Sequence, residues 1–134
     1  MEITMSQKVC VIVGGGKGMG AAVAREMHNR NYKLALMSPS KNSEILAKEL
    51  NGIALRGKAE NKIDTENLIK NTMEKYGRVD SLLIHVGGPP KGDLLDISDE
   101  DWNKANQMVL MPVIRLSRLV TPLMKAQGGG SIVN

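Results

Sequence analysis

Short apolar runs alternate along this chain with stretches in which apolar residues recur at helical spacing. Lys8 to Val13 is apolar, rich in valine and followed by glycines, which predicts a buried strand. Gly18 to Asn29 reads as a helix, with Met19, Ala22, Val23 and Met27 at helical spacing. Lys33 to Met37 is a second strand, stopped by Ser38-Pro39-Ser40 because proline cannot continue the pairing. Ser43 to Leu50 is a helix closed by Asn51-Gly52, and Ile53 to Arg56 a short third strand. Asp64 to Tyr76 is the next helix, with Leu68, Ile69, Met73 and Tyr76 on one face and Gly77 just past its end. Ser81 to Val86 is a fourth strand, closed by Gly87-Gly88-Pro89-Pro90.

Ser98-Asp99-Glu100-Asp101 has the form of a capping box and starts the longest helix, predicted to run to about Lys125. Pro112 lies inside it and is expected to kink it, since it lacks an N–H and clashes one turn back. Gly128-Gly129-Gly130 ends that helix, and Ser131 to Asn134 reads as the beginning of a fifth strand. Strand and helix alternating this regularly implies an α/β fold, a parallel sheet covered by helices on both faces. Right-handed crossovers make it a doubly wound sheet in the order 3-2-1-4-5. No internal repeat or interdomain linker interrupts residues 1–134, which are expected to form one domain.

Composition adds three restrictions. With 42% hydrophobic and 24% charged residues the chain is globular rather than disordered. There is no Phe and only one Trp, so the nine Met, with Val, Leu and Ile, must fill the core. The single cysteine, Cys10, cannot form an internal disulfide and sits in an apolar run, as a core residue in a reducing compartment would. No apolar stretch approaches the ~20 residues of a membrane helix. Met1 to Lys8 lacks the basic-then-apolar layout of a signal peptide, so a cytoplasmic location and no membrane partner are expected.

The formal charge of +4 suits an anionic ligand. Nucleic acid is not expected, because there is no basic run and aromatics for base stacking are scarce. A small phosphorylated ligand uses the charge better, and the sequence offers a place for it. Val13-Gly14-Gly15-Gly16-Lys17-Gly18-Met19-Gly20 lies between a buried strand and a helix. Glycine supplies the positive φ or the missing side chain that such a turn needs. The helix starting near Gly18 presents free N–H groups and partial positive charge to a pyrophosphate. The spacing is G-x-x-x-G-x-G at Gly14, Gly18 and Gly20, and no Gly-Lys-Ser/Thr makes it a Walker A loop. A glycine-rich turn in a non-binding flavodoxin-like domain is the alternative.

The run VGGGKGMG resembles the T-G-x-x-x-G-x-G fingerprint of the short-chain dehydrogenase/reductases, with Val13 at the Thr position. GRVDSLLIHVGGPP resembles the family's fourth strand and its Asn-Asn-Ala-Gly motif. SDEDWNKANQMVLMPVIRLSRLVTPLMKAQGGGSIVN resembles its long interface helix and the start of its fifth strand. The resemblance covers essentially the whole chain and implies a Rossmann-type dinucleotide-binding domain. Gly-Gly-Pro-Pro after the fourth strand and an apolar residue at the family's Asn position are similar to a divergent branch near the 3-oxoacyl-acyl-carrier-protein reductases.

In this family an acid ending the second strand holds the adenosine ribose and selects NAD. Ser38 stands at that position here, and no carboxylate is there to repel the 2′-phosphate of NADP. Lys17, Ser38, Ser40 and Lys41 are expected to build a 2′-phosphate site, which favours NADP over NAD. The bland alternative makes Lys17 and Lys41 solvated loop residues and Ser40 a helix cap. The cofactor-binding set implied by the resemblance is Gly14, Gly16, Lys17, Gly18, Met19, Gly20, Ser38, Ser40, Lys41, Ala59, Val86 and Gly87.

The sequence departs from the family in three places. Lys58-Ala59 replaces the Asp-Val pair, losing a hydrogen bond to the adenine amino group. Ile84-His85-Val86-Gly87 replaces Asn-Asn-Ala-Gly. Val109 replaces the Asn that holds a proton-relay water. The family's Ser and Tyr-x-x-x-Lys fall beyond Asn134, so no residue here is expected to be catalytic. His85, near the end of a buried strand, is expected to be a hydrogen-bonded packing residue rather than a catalyst. His28, His85 and Cys10 make no metal constellation.

From Met108 to Met124 apolar residues occur nearly all round the long helix, so it should be buried on several sides. The resemblance implies that one of them, on the helix 101–125, meets a second subunit of a homo-oligomer. Burial by other elements of the same chain is the alternative. Two functional readings follow. One is the cofactor half of an NADP(H)-dependent oxidoreductase acting on a small carbonyl/alcohol substrate, favoured for the whole fold. The other is a non-catalytic dinucleotide-binding or oligomerisation module, favoured for these 134 residues alone.

Overall fold

The computed structural model describes residues 6–134. Five strands, β1 (Val9–Val13), β2 (Lys33–Ser38), β3 (Ile53–Arg56), β4 (Ser81–Ile84) and β5 (Ser131–Val133), form one parallel sheet in the order β3-β2-β1-β4-β5. The helices are α1 (Gly18–Asn29), α2 (Asn42–Glu49), α3 (Lys62–Tyr76), α4 (Asp99–Ala105) and α5 (Met111–Ala126). Because side chains alternate across a strand, the two faces of the sheet carry separate cores. Cys10, Ile12, Leu34 and Leu36 pack against Ala24 of α1 and Leu46 and Ala47 of α2. Val11, Val13, Ala35, Met37 and Leu82 pack against Leu68 of α3 and Leu116 and Val120 of α5. All five residues of β1 are buried, which is why it is an uninterrupted apolar run.

Several boundaries differ from the sequence expectation for identifiable reasons. Helix α3 begins at Lys62, two residues early, because the Asn61 side chain accepts from the N–H groups of Ile63 and Asp64 at 2.9 and 3.2 Å. It ends at Gly77, whose φ of 72° is the left-handed cap that glycine adopts readily. Helix α2 runs Asn42–Glu49 rather than 43–50. Strand β4 stops at Ile84: β1 ends at Val13, the partner of Ile84, so Val86 has no strand left to pair with.

In α1 the expected apolar stripe is rotated. Gly20 and Ala24 face the sheet, Val23 and Met27 are half-buried, and Met19 and Ala22 are exposed. The long helix is also not continuous. A π-helical turn over Asn106–Leu110 separates α4 from α5, and the Met111 N–H donates to the Asn106 carbonyl five residues back. Pro112 has no N–H for the carbonyl four residues before it, so the hydrogen-bond ladder slips by one residue just upstream. Ser98 caps α4 by accepting from the Asp101 N–H at 3.2 Å, but the Asp101 carboxylate accepts from the Ser98 hydroxyl at 2.9 Å instead of closing the box on the Ser98 N–H.

Helix α5 buries only one stripe, Pro112, Leu116, Val120 and Met124, at i,i+4 spacing. Val109, Leu110 and Ile114 are 40, 51 and 37% exposed, so among the described residues the helix is not buried on several sides. Among the described residues no helix is long and apolar enough to cross a membrane.

Candidate functional site

The glycine turn after β1 hangs on β2, because the N–H groups of Gly14 and Gly15 both donate to the Met37 carbonyl, at 2.8 and 3.2 Å. Gly14 has φ +83°, and a β-carbon there would lie 1.6 Å from the His85 carbonyl oxygen. A β-carbon on Gly20 would lie 2.1 Å from the Gly14 carbonyl oxygen. These two absences of a side chain let α1 start directly above the ends of β1 and β4. Lys17 precedes its first turn with an extended backbone and no side-chain cap. The N–H groups of Gly18, Met19 and Gly20, in the first turn, therefore have no intrahelical acceptor. Met19, 68% exposed, lies outside the core.

At the end of β2 the Ser38 side chain is buried and its hydroxyl donates to the Ser40 carbonyl at 3.0 Å. Ser40 Oγ accepts from the Asn42 N–H at 3.3 Å, and Gly16 leaves room for Ser38, since a β-carbon there would come within 2.6 Å of its Oγ. The sequence expected Ser38 and Ser40 to offer hydroxyls to a phosphate. Ser38 instead commits its proton to the backbone, while Ser40, whose Oγ only accepts, and the exposed Lys17 and Lys41 keep donors available among the described residues. Arg56 was missed. It sits beside Ser38 in the sheet register and is ion-paired with Glu44 of α2.

The remaining candidates converge on one cleft of about 210 Å³ at the carboxyl end of the sheet, lined by Gly14, Ser38, Ala59, His85, Val86, Gly87 and Met108 among others. Ala59 is buried, on a loop pinned by the Gly57 N–H donating to Ser38 O at 3.0 Å and the Lys58 N–H donating to Asp64 Oδ2 at 2.8 Å. Asp64 thus holds the loop from the first turn of α3, a role the sequence did not reveal. His85 is half-buried and lines the cleft, while its main-chain N–H donates to Val13 O at 2.9 Å. Val109 does not line the cleft; Met108, one residue earlier, does. Met108 also borders a wider, mostly apolar groove of about 1030 Å³ beside Pro89, Ile97 and Trp102, which no motif announced.

The opposite end of the sheet is structural. Asp80 accepts from the Val9 N–H at 2.8 Å and from Arg78 through both carboxylate oxygens, at 2.8 and 2.6 Å. Burial alone would raise the Asp80 carboxyl, but Arg78, the Val9 amide and the Lys8 charge together hold it below the usual carboxylate range.

A family model described as short chain dehydrogenase matches residues 8–134. An uncharacterized oxidoreductase of Thermotoga maritima is 34% identical over 131 residues, covering 95% of this chain and 52% of that protein. A 3-oxoacyl-(acyl-carrier-protein) reductase of the same organism is 31% identical over 135 residues, covering 95% and 54%. The solved structure of a putative 3-oxoacyl-reductase from Bacillus thuringiensis superposes with a TM-score of 0.87 at 23% identity, over 96% of this chain and 56% of that one, and shares the fold. The chain spans about half the length of the curated relatives it matches.

Proposed function

This chain belongs to the short-chain dehydrogenase family, and from that membership we propose that it forms the cofactor-binding half of an oxidoreductase that takes NADP(H) in preference to NAD(H). The observation that carries the reading is convergence. Gly14 of the glycine turn, Ser38 at the end of β2, Ala59 and Val86-Gly87 arrive from four parts of the chain at one cleft. That cleft lies outside the carboxyl ends of β1 and β4, where the strand order reverses and nucleotides bind in doubly wound sheets.

The residues present fit a dinucleotide. The amides of Gly18, Met19 and Gly20, at the start of α1, would take the pyrophosphate. Ala59 and Met108 give the adenine apolar walls, and the backbone of Val86-Gly87 lines the ribose on the other side. Lys17 and Lys41 supply positive charge beside Ser38 for a 2′-phosphate, with no carboxylate at the end of β2 to oppose it. Bound there, the cofactor would supply hydride to or from a carbonyl/alcohol pair. The apolar groove beyond Met108 favours an apolar substrate, in keeping with a 3-oxoacyl-type reductase. No residue of this chain is assigned a catalytic role.

A second reading, a dinucleotide-binding or oligomerisation module without chemistry, is favoured by Val109 at the position where the family resemblance implies Asn. Both readings require the cleft to bind.

Fluorescence titration with NADPH and NADH tests the site. Saturable binding with NADPH preferred is expected, with Lys17→Ala weakening NADPH about tenfold and NADH by no more than about twofold, as loss of one charge-assisted contact would. Ser38→Asp should reverse the preference by setting a carboxylate against the 2′-phosphate. Equal affinity for both cofactors would sink the NADP assignment, and binding of neither would sink the site.

A further inference from the structure

Resting on the reading of the cleft as a dinucleotide site, we propose that Arg115 is a positioning residue that holds the adenine side of that cleft at its working width. Arg115 lies on the second turn of α5 and touches none of the cleft's space itself. Its Nη1 donates to the Glu60 carbonyl at 3.0 Å, and its Nη2 donates to Gln107 Oε1 at 3.3 Å. Glu60 belongs to the loop between β3 and α3 that forms one wall. Gln107 belongs to the π-helical turn and precedes Met108, which forms the facing wall. One planar guanidinium thus bridges the two walls from behind.

The bridge matters because of how each wall is otherwise held. The loop's other backbone bonds all come from its own side. Gly57 N–H donates to Ser38 O, Lys58 N–H to Asp64, and Asn61 N–H to Lys58 O at 3.0 Å. They fix the loop to β2 and α3 and leave its separation from the π-helical turn to packing and to Arg115. The π-helical turn is the least regular part of the long helix and buries none of its own residues, so it has little packing to anchor it. Lys58 stands where the family resemblance implies an adenine-pairing Asp, and its side chain is exposed. Recognition on that side falls to the fit between Ala59 and Met108, and a fit responds to wall spacing far more than a charge does.

The rigid fork of arginine suits the task, since two donors in one plane fix an angle as well as a distance. Lysine can reach one acceptor at a time with a rotating ammonium.

The test compares adenosine 2′,5′-bisphosphate, adenosine 5′-monophosphate and reduced nicotinamide mononucleotide on the full 134-residue chain by calorimetric or fluorescence titration. Arg115→Met should weaken both adenosine ligands by the same factor, about tenfold for loss of a charged hydrogen bond, and leave the nicotinamide ligand unchanged. Arg115→Lys should fall between. Gln107→Met, which removes only the second arm, should show a smaller loss with the same pattern, and it serves if Arg115→Met does not fold. Unchanged adenosine affinity in every variant overturns the inference while the cleft reading stands. An equal loss for the nicotinamide ligand means general loosening and also overturns it. A larger loss for the bisphosphate than for the monophosphate means a direct charge effect and overturns it as well. If the wild type binds neither NADPH nor the adenosine ligands, the cleft reading fails and this inference with it.

Discussion

The carbonyl oxygen of His85 occupies the space a β-carbon on Gly14 would need, 1.6 Å from its ideal position. Gly14 also has φ +83°, so a side chain there meets steric overlap and backbone strain together. Gly14→Ala should therefore cost about 3 kcal/mol or more in stability and abolish NADPH binding, because the turn and the end of β4 must separate. Gly18 offers the control. Its φ is +56°, but nothing lies within 4 Å of an added β-carbon. Gly18→Ala should cost only about 1–2 kcal/mol. Urea denaturation of the two variants side by side would decide; equal losses would mean that the contact with His85 is not what constrains Gly14.

Asp80 makes stability depend on pH. Its carboxyl is held below the ordinary range when folded, so it binds a proton less readily in the native state than in the unfolded chain. Its contribution is fully present above the unfolded value of about 3.9 and is lost as pH falls through the lower, folded value. Asp80→Asn should lose about 2 kcal/mol at neutral pH, since a buried carboxylate with four N–H donors, from Val9, Arg78 and Gln127, is replaced by an amide that matches them poorly. The variant and the wild type should converge in acid. Denaturation midpoints measured from neutral pH down to about pH 2 check this, and parallel curves would remove Asp80 as the cause.

The strand order was legible because every apolar run alternates with a helical one, and right-handed crossovers leave few arrangements for such a chain. The glycine turn was legible for a related reason, as its parts are neighbours in sequence. What escaped depends on tertiary contact. Periodicity marks a helical stripe but does not say which way it turns. Gly20 packing on the Gly14 carbonyl rotates α1 and leaves Met19 outside. Arg56 comes to lie beside Ser38 only because β3 pairs with β2, and Asp64 and Arg115 bond to the cleft's loop because α3 and α5 flank it. Pro112 announced a disturbance in the long helix, yet a missing donor is answered equally by a bend or by a register slip, and the slip is what occurs.

Cys10 is 1% exposed on β1, and burial pushes its thiol up to about 12. Only a thiolate reacts rapidly, and reagent has no path to the sulfur in the folded state. The native protein at about pH 8 should show negligible reaction with a disulfide reagent, while one thiol per chain should titrate at once in urea. Rapid reaction of the native protein would mean that β1 opens far more often than a central strand of a five-stranded sheet should.

The outer side of the long helix carries exposed apolar residues. Leu110 and Ile114 stand one turn apart, 51 and 37% exposed, with Val109 beside them at 40%. The inner stripe of Pro112, Leu116, Val120 and Met124 is buried, while this outer strip is left partly open among the described residues. Apolar strips of this kind mark contact surfaces. Sedimentation velocity over a range of concentrations should show self-association, and Leu110→Glu should shift it toward the monomer by burying a charge at the contact. The same variant should keep its thermal stability and its NADPH affinity, because Leu110 lines neither the core nor the cleft. A wild type that stays monomeric at every concentration would assign the strip to another partner, and a Leu110→Glu variant that melts early would place Leu110 in the folded core instead.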